Sequence, residues 1–123
     1  MEISLKGDKK METVKLTIIE DYGSKKEYRL IHTETNEVIG GCSVTECDSD
    51  YKIFHVKILE SFQGNGYGTL MLKYIIKEYE SKGKPLWLWV SKDNRIAISL
   101  YKKLGFKIIR EPYEDRFEML YKY

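Results

Sequence analysis

Two cysteines, two histidines by count and two prolines are all that this 123-residue sequence holds of those types, and each shortage excludes something. Cys42 and Cys47 lie five residues apart in what reads as one strand, about 16 Å at roughly 3.3 Å per residue, beyond the roughly 7 Å that a disulfide bridges. They are expected as free thiols in a reducing compartment. His32, Cys42, Cys47 and His55 have neither a CxxC nor an HxxxH spacing, so no metal site is expected. No apolar run approaches the roughly 18 residues of a membrane span, and Met1-Glu2-Ile3-Ser4-Leu5-Lys6 has no secretory apolar region, which points to a cytoplasmic protein with no membrane partner. A strong charge of one sign is missing too. The net charge of +2 is too mild for a duplex binder, and no face interleaves aromatic with basic residues, so no nucleic-acid partner is expected.

What the chain has in quantity is apolar and charged residues, 42% and 33%, the mix of one domain able to bury roughly two-thirds of its unfolded surface. Residues 1–10, polar and lysine-rich, are expected as a loose lead-in, and residues 11–123 as a single domain. Residues 1–60 hold 9 Lys/Arg against 12 Asp/Glu while residues 61–123 hold 12 against 7, so the second half is the better place for an anion.

Val14 to Glu20 is β-branched and leads into the turn-like Asp21-Tyr22-Gly23-Ser24. Lys26 to Thr33, Val38 to Cys47 and Tyr51 to Leu59 complete a meander of four strands, with Gly40-Gly41 marking a bulge or flat spot in the third. The period then changes. Tyr67, Leu70, Met71, Tyr74 and Ile75 fall on one helical stripe, stopped by Gly83 and Pro85. Leu86-Trp87-Leu88-Trp89-Val90 reads as a short buried strand whose tryptophans fill the core. A second helix opens at Asp93 or Asn94, carries Ile96, Ala97, Leu100, Tyr101 and Leu104 on one stripe, and ends at Gly105. Phe106 to Ile109 and Arg116 to Tyr121 are the last strands. The expected fold class is α+β: a mixed, mostly antiparallel sheet of about seven strands flanked by two or more helices, with the fourth and fifth strands parallel.

Gln63-Gly64-Asn65-Gly66-Tyr67-Gly68 stands between the end of a strand and the start of a helix. Glycines there let successive backbone N–H groups converge, and the helix N-terminus adds partial positive charge, so the segment can hold a phosphate or pyrophosphate. A tight structural connection would use the same residues. A P-loop needs a lysine that Gly68-Thr69 lacks, and a dinucleotide fingerprint needs an acid about 20 residues on, where this chain has Val90-Ser91-Lys92.

From about Val38 to Phe106 the sequence resembles the GNAT superfamily of acyl-CoA-dependent N-acyltransferases. Gln63-x-x-Gly66-x-Gly68 is similar to that family's pyrophosphate loop, and Asn94, Ala97, Leu100-Tyr101 and Leu104-Gly105-Phe106 are similar to its second signature. The resemblance implies an N-acetyltransferase that uses acetyl-CoA as co-substrate, with no metal, and passes the acetyl group to a primary amine by direct attack in a ternary complex. It implies pantetheine in the gap between the fourth and fifth strands, coenzyme contacts from Ile58, Gln63, Gly64, Asn65, Gly66, Tyr67, Gly68, Thr69, Asn94, Tyr101 and Lys103, and an oxyanion donor in the Val56 backbone N–H. The Tyr101 hydroxyl would protonate the departing thiolate. Asn94 can cap its helix and bond pantetheine at once. Lys102, Lys103 and Lys107 read more simply as solvated. The other reading is a non-catalytic domain that keeps the cradle as a sensor or interaction module.

Two departures from the family bear on mechanism. Lys52 and Phe54 stand where the resemblance implies a glutamate or histidines, and His55, of opposite parity, should face away from the thioester on a regular strand. Glu46, Glu111, Glu114 and Asp115 are left as acids, each read more simply as solvated. Without a base, kcat/KM for a primary amine is expected to keep rising from pH 7 to about 9. Only Asp21 to Lys25 is available where the family inserts helices, so the acceptor side should be shallow. A small amine, a protein lysine and an N-terminal amine stay open as acceptors, as does a homodimer.

Overall fold

The computed structural model describes residues 2–6 and 11–122, with side chains from residue 14 on. Its strands are β1 (Glu2–Lys6), β2 (Met11–Asp21), β3 (Lys25–His32), β4 (Val38–Glu46), β5 (Tyr51–Ile58), β6 (Leu86–Ser91), β7 (Lys107–Tyr113) and β8 (Arg116–Tyr121); its helices are α1 (Tyr67–Glu80) and α2 (Arg95–Leu104). The eight strands form one sheet in the order β1-β2-β3-β4-β5-β6-β8-β7. All pairs are antiparallel except β5 with β6. The α+β class and the parallel pair are as expected from the sequence. The additional strand is β1, which pairs Glu2 with Lys15 and Lys6 with Met11. Of the lead-in expected at 1–10, residues 2–6 are therefore strand, and residues 1 and 7–10 lie outside the described residues.

Alternation along the strands sorts the sheet into two unlike faces. Leu30, Val44, Ile53, Leu86, Leu88 and Met119 point to one face and are essentially fully buried. Onto that face α1 lays Met71, Leu72, Ile75 and Tyr79, all buried, so its stripe runs slightly round from the predicted one, with Leu70 and Tyr74 at its border. α2 joins through Leu100 against Gly68, and Phe106 behind it packs on Tyr121 of β8. Asn94 caps α2 by accepting from Ala97 N at 3.1 Å. Gly105, at φ 109, ends it where a Cβ would press Tyr121 at 2.9 Å. Ile96, expected on the buried stripe, is 86% exposed.

The second face has no helix over it among the described residues. Trp87 and Trp89 lie there, half-buried rather than in the core, because they alternate with the buried Leu86, Leu88 and Val90. The two rings meet edge-on at 5.9 Å, and Lys52 sits over them at 4.9 and 4.1 Å. Their N–H groups donate to Asp50 and Glu118 at 2.8 and 2.9 Å. Buried aromatic area thus continues onto this face through polar tips that remain bonded.

Candidate active site

Parallel pairing between β5 and β6 runs from Tyr51↔Leu86 to Ile53↔Leu88 and stops there. Just beyond, β5 loses step with β4: Ser43 pairs with Phe54 and Gly41 with Lys57, so His55 and Val56 together oppose Cys42. Such a two-against-one bulge bends its strand and breaks the ladder locally. His55 itself has φ 54, in the left-handed region where histidine is one of the few enriched side chains. The strands part to leave a cavity of about 230 Å³, with His55 and Val56 on one wall, Val90 and Ser91 on the other, and Asn94 and Tyr101 at its α2 end. The glycine pair expected to mark an irregularity is flanked by register shifts on both neighbouring strands, and it also serves close approach. A Cβ on Gly40 would lie 2.2 Å from the Lys57 carbonyl, and one on Gly41 2.4 Å from that of Tyr28.

The glycine loop sits at the end of the same strand. Gly64 and Gly66 have φ 80 and 84, and a Cβ at either would meet nothing within 4 Å. Glycine is therefore required there by backbone conformation, and the space beside the loop is open. Gly66 caps α1 with no side-chain bond and no acid follows in the first turn. The first-turn N–H groups have no partner within the helix, and the dipole favours an anion there. Asn65 donates to the carbonyls of Phe62 and Gln63, both at 3.2 Å, and Gln63 donates to that of Ile58 at 2.9 Å. The polar side chains thus bond the loop's own backbone and the end of β5, and so shape the loop. Gly68 is close-packed: a Cβ there would lie 3.6 Å from both Ile58 and Leu100. The loop is thereby joined to β5 and to α2, one residue from Tyr101.

Tyr101 is buried, its ring edge-on to Phe106 at 5.9 Å. Burial, helped by the nearby Cys42 thiol, pushes its hydroxyl up to about 12. The residue lines the cavity, where a hydroxyl can donate to or accept from a ligand. Val56, Asn94 and Tyr101 therefore share one cavity, while Gln63 to Thr69 and Ile58 share the loop beside it. Lys103 lies exposed in the last turn of α2, as does Lys102.

None of the four acids lines the cavity. Glu46 is bonded to Lys84 and Tyr51, both at 3.1 Å, and Lys84 holds its carboxyl below the usual range. Glu111 pairs with Lys92 at 3.0 Å, and Asp115 holds Arg116 through two bonds at 3.1 and 3.2 Å. Glu118, which sequence reasoning passed over, is the buried acid of the second face, gripped by Arg110 at 3.0 and 3.1 Å and by Trp89. Nothing in its local sequence separates it from a solvated glutamate. On a regular strand His55 faces away from the side of Phe54; the bulge breaks that parity, and its ring meets Phe54 edge-on at 4.9 Å. Gly41 of the expected irregular pair stands at this register shift, across the ladder from the extra residue, and histidine's tolerance of the left-handed region is the second signal in the sequence.

The Acetyltransferase (GNAT) family model matches residues 5–106. The chain is 36% identical over 74 residues to the [Ribosomal protein bS18]-alanine N-acetyltransferase of Haemophilus influenzae, a stretch covering 59% of this chain and 50% of the relative. It is 40% identical over 55 residues to the Salmonella typhimurium protein of the same name, covering 44% and 37%. The chain spans about half the length of the curated relatives it matches. Among solved structures, it resembles a GNAT family acetyltransferase from Elizabethkingia anophelis with acetyl-CoA bound, at TM-score 0.72 and 22% identity over 81% of this chain and 77% of that one. The ribosomal-protein-S18-alanine N-acetyltransferase from Escherichia coli matches at TM-score 0.71 and 24% identity, over 80% and 69%. At these identities the structures speak for the fold.

Proposed function

Because the chain belongs to the Acetyltransferase (GNAT) family, we propose that it transfers an acetyl group from acetyl-CoA to a primary amine by direct attack in a ternary complex. Residues 11–123 act as one acyltransferase unit. The observation that carries this is Tyr101, a buried residue whose side chain lines the cavity between β5 and β6, with the open glycine loop one helix contact away.

Acetyl-CoA lies with its pyrophosphate on the first-turn N–H groups after Gly66 and its thioester in the cavity. There the Val56 N–H bonds the carbonyl oxygen as it gains charge. Asn94 and Ile58 bond the pantetheine amides, and Lys103 adds positive charge near the phosphates. Tyr101, held protonated by burial, gives its proton to the thiolate as the C–S bond breaks.

The acceptor comes over the second face, which has no helix above it and carries a groove of about 270 Å³ running to His55. An exposed protein amine fits such an approach, and the names of the curated relatives make a peptide with N-terminal alanine the first acceptor to try.

A thermal-shift panel with acetyl-CoA, CoA and NAD tests the cradle. Stabilisation by the first two alone is expected, about 2.7 kcal/mol at a hundredfold excess over Kd. Release of free thiol with an N-terminal alanine peptide, an N-blocked lysine peptide or spermidine then tests transfer. Stabilisation with no acetylation of any of the three would replace catalysis by the sensor or interaction-module reading. Absence of stabilisation would remove both.

A further inference from the structure

On the premise of the acetyl transfer above, we propose that His55 is its general base. The bulge at φ 54 turns this side chain off the helix-covered side and onto the second face, beside Phe54. His55 there borders two spaces at once. One is the cavity that holds Val56 and Tyr101; the other is the groove along which the acceptor arrives. Its ring has no hydrogen-bond partner among the described residues, so the imidazole nitrogens are open to an incoming amine.

The four acids available from the sequence lie outside the cavity. The groups around His55 are Glu27 and Arg29 on β3, Ser43 and the buried Cys42 thiol on β4, and Lys57 on its own strand. Lys25 stands 5.4 Å from the Phe54 ring behind it. Across the cavity β6 presents Trp89 and Ser91, and α2 presents Tyr101. Base and acid thus lie at different ends of the cavity, His55 at the acceptor side and Tyr101 at the coenzyme side, which is the separation the reaction needs. The acceptor ammonium gives a proton to the imidazole. The freed lone pair forms the N–C bond, the C–S bond breaks, and the thiolate takes the Tyr101 proton. The new amide nitrogen sheds its remaining extra proton to the tyrosinate, and His55 delivers the one net proton to solvent.

The left-handed backbone at residue 55 is sterically costly for most side chains, so the replacements are His55→Asn, which tolerates it, and His55→Gly, which has no side chain to strain. With acetyl-CoA and whichever of the alanine or lysine peptides the wild type acetylates faster, wild-type kcat/KM should level off below the peptide amine's own pKa. In both variants kcat/KM at pH 7 should fall roughly 10²-fold and then climb about tenfold per pH unit until that pKa is reached. The acetyl-CoA thermal shift should be unchanged, and added imidazole should restore part of the rate in His55→Gly. That climb is the profile expected above for a site without a base. A folded His55→Asn with wild-type rate and profile would overturn the role of His55 while leaving acetyl transfer intact. A wild type that acetylates no amine would overturn acetyl transfer and this role together.

Discussion

The Gln63 side-chain amide donates to the Ile58 carbonyl at 2.9 Å, tying the glycine loop to the last residue of the strand that carries the bulge. One bond therefore ties the loop to the end of β5, the strand that forms one wall of the cavity. Gln63→Ala removes it, and a hydrogen bond of this kind contributes about 0.5–1.5 kcal/mol. Acetyl-CoA affinity measured by calorimetry should weaken roughly two- to twelvefold at that cost. An unchanged affinity would show that the loop holds its place without Gln63.

Gly66 and Gly68 should respond in opposite ways. At Gly66, φ 84 makes any side chain strained, about 1–3 kcal/mol in urea unfolding, and a Cβ would enter the space assigned to the coenzyme. Gly66→Val should therefore lose CoA binding while remaining folded. Gly68 lies inside α1 with room for a Cβ at ordinary contact distance, so Gly68→Ala should be neutral or stabilising by up to about 1 kcal/mol. CoA bound equally well by a folded Gly66→Val would refute the cradle.

Tyr101→Phe keeps the ring against Phe106 and deletes the hydroxyl. Turnover should drop roughly 10²-fold or more with acetyl-CoA affinity nearly intact. A second readout follows from ionisation. Burial raises the folded value to about 12 from 10.0, so the contribution to stability is complete below the unfolded value and disappears as pH rises through the folded one. Wild-type unfolding free energy should fall between pH 10 and 12 more steeply than that of Tyr101→Phe. Equal turnover would return Tyr101 to a packing role.

Glu118 governs the acid side. Burial pushes its carboxyl up, but the hydrogen bonds from Arg110 and Trp89 outweigh burial and hold it below its ordinary 4.5. A depressed value means stability that is present above the unfolded pKa and lost as pH falls through the folded one. Glu118→Gln should cost about 1–3 kcal/mol at pH 7, and the gap from wild type should narrow as unfolding is followed from pH 5 down to 3. A constant gap would mean that Arg110 and Trp89 contribute nothing to the ionised form.

Much of this was readable along the chain. The stripe Tyr67, Met71, Ile75 and the loop Gln63 to Gly68 are local patterns, set by helical period and by backbone freedom, and both lie where the sequence put them. Asn94 and Gly105 cap α2 for the same reason. Other features were not readable. Trp87 and Trp89 alternate correctly, but alternation does not say which face a helix will cover. Ile96 has the spacing of the buried stripe, yet nothing packs over the first turn of α2 to bury it. His55 reads as facing inward because parity assumes a regular ladder, and one extra residue opposite Cys42 undoes it.

By itself, then, the sequence determined the two helices, the strands from β2 onward, their order, the glycine loop and the caps of α2, because period, glycine content and capping act within a few residues. Only the tertiary structure decided that β5 and β6 part after Ile53↔Leu88, that Tyr101 and Val56 share the resulting cavity, and that His55 turns to the uncovered face. Each of those depends on how one strand registers against another, and register is set by contacts between residues far apart in the chain.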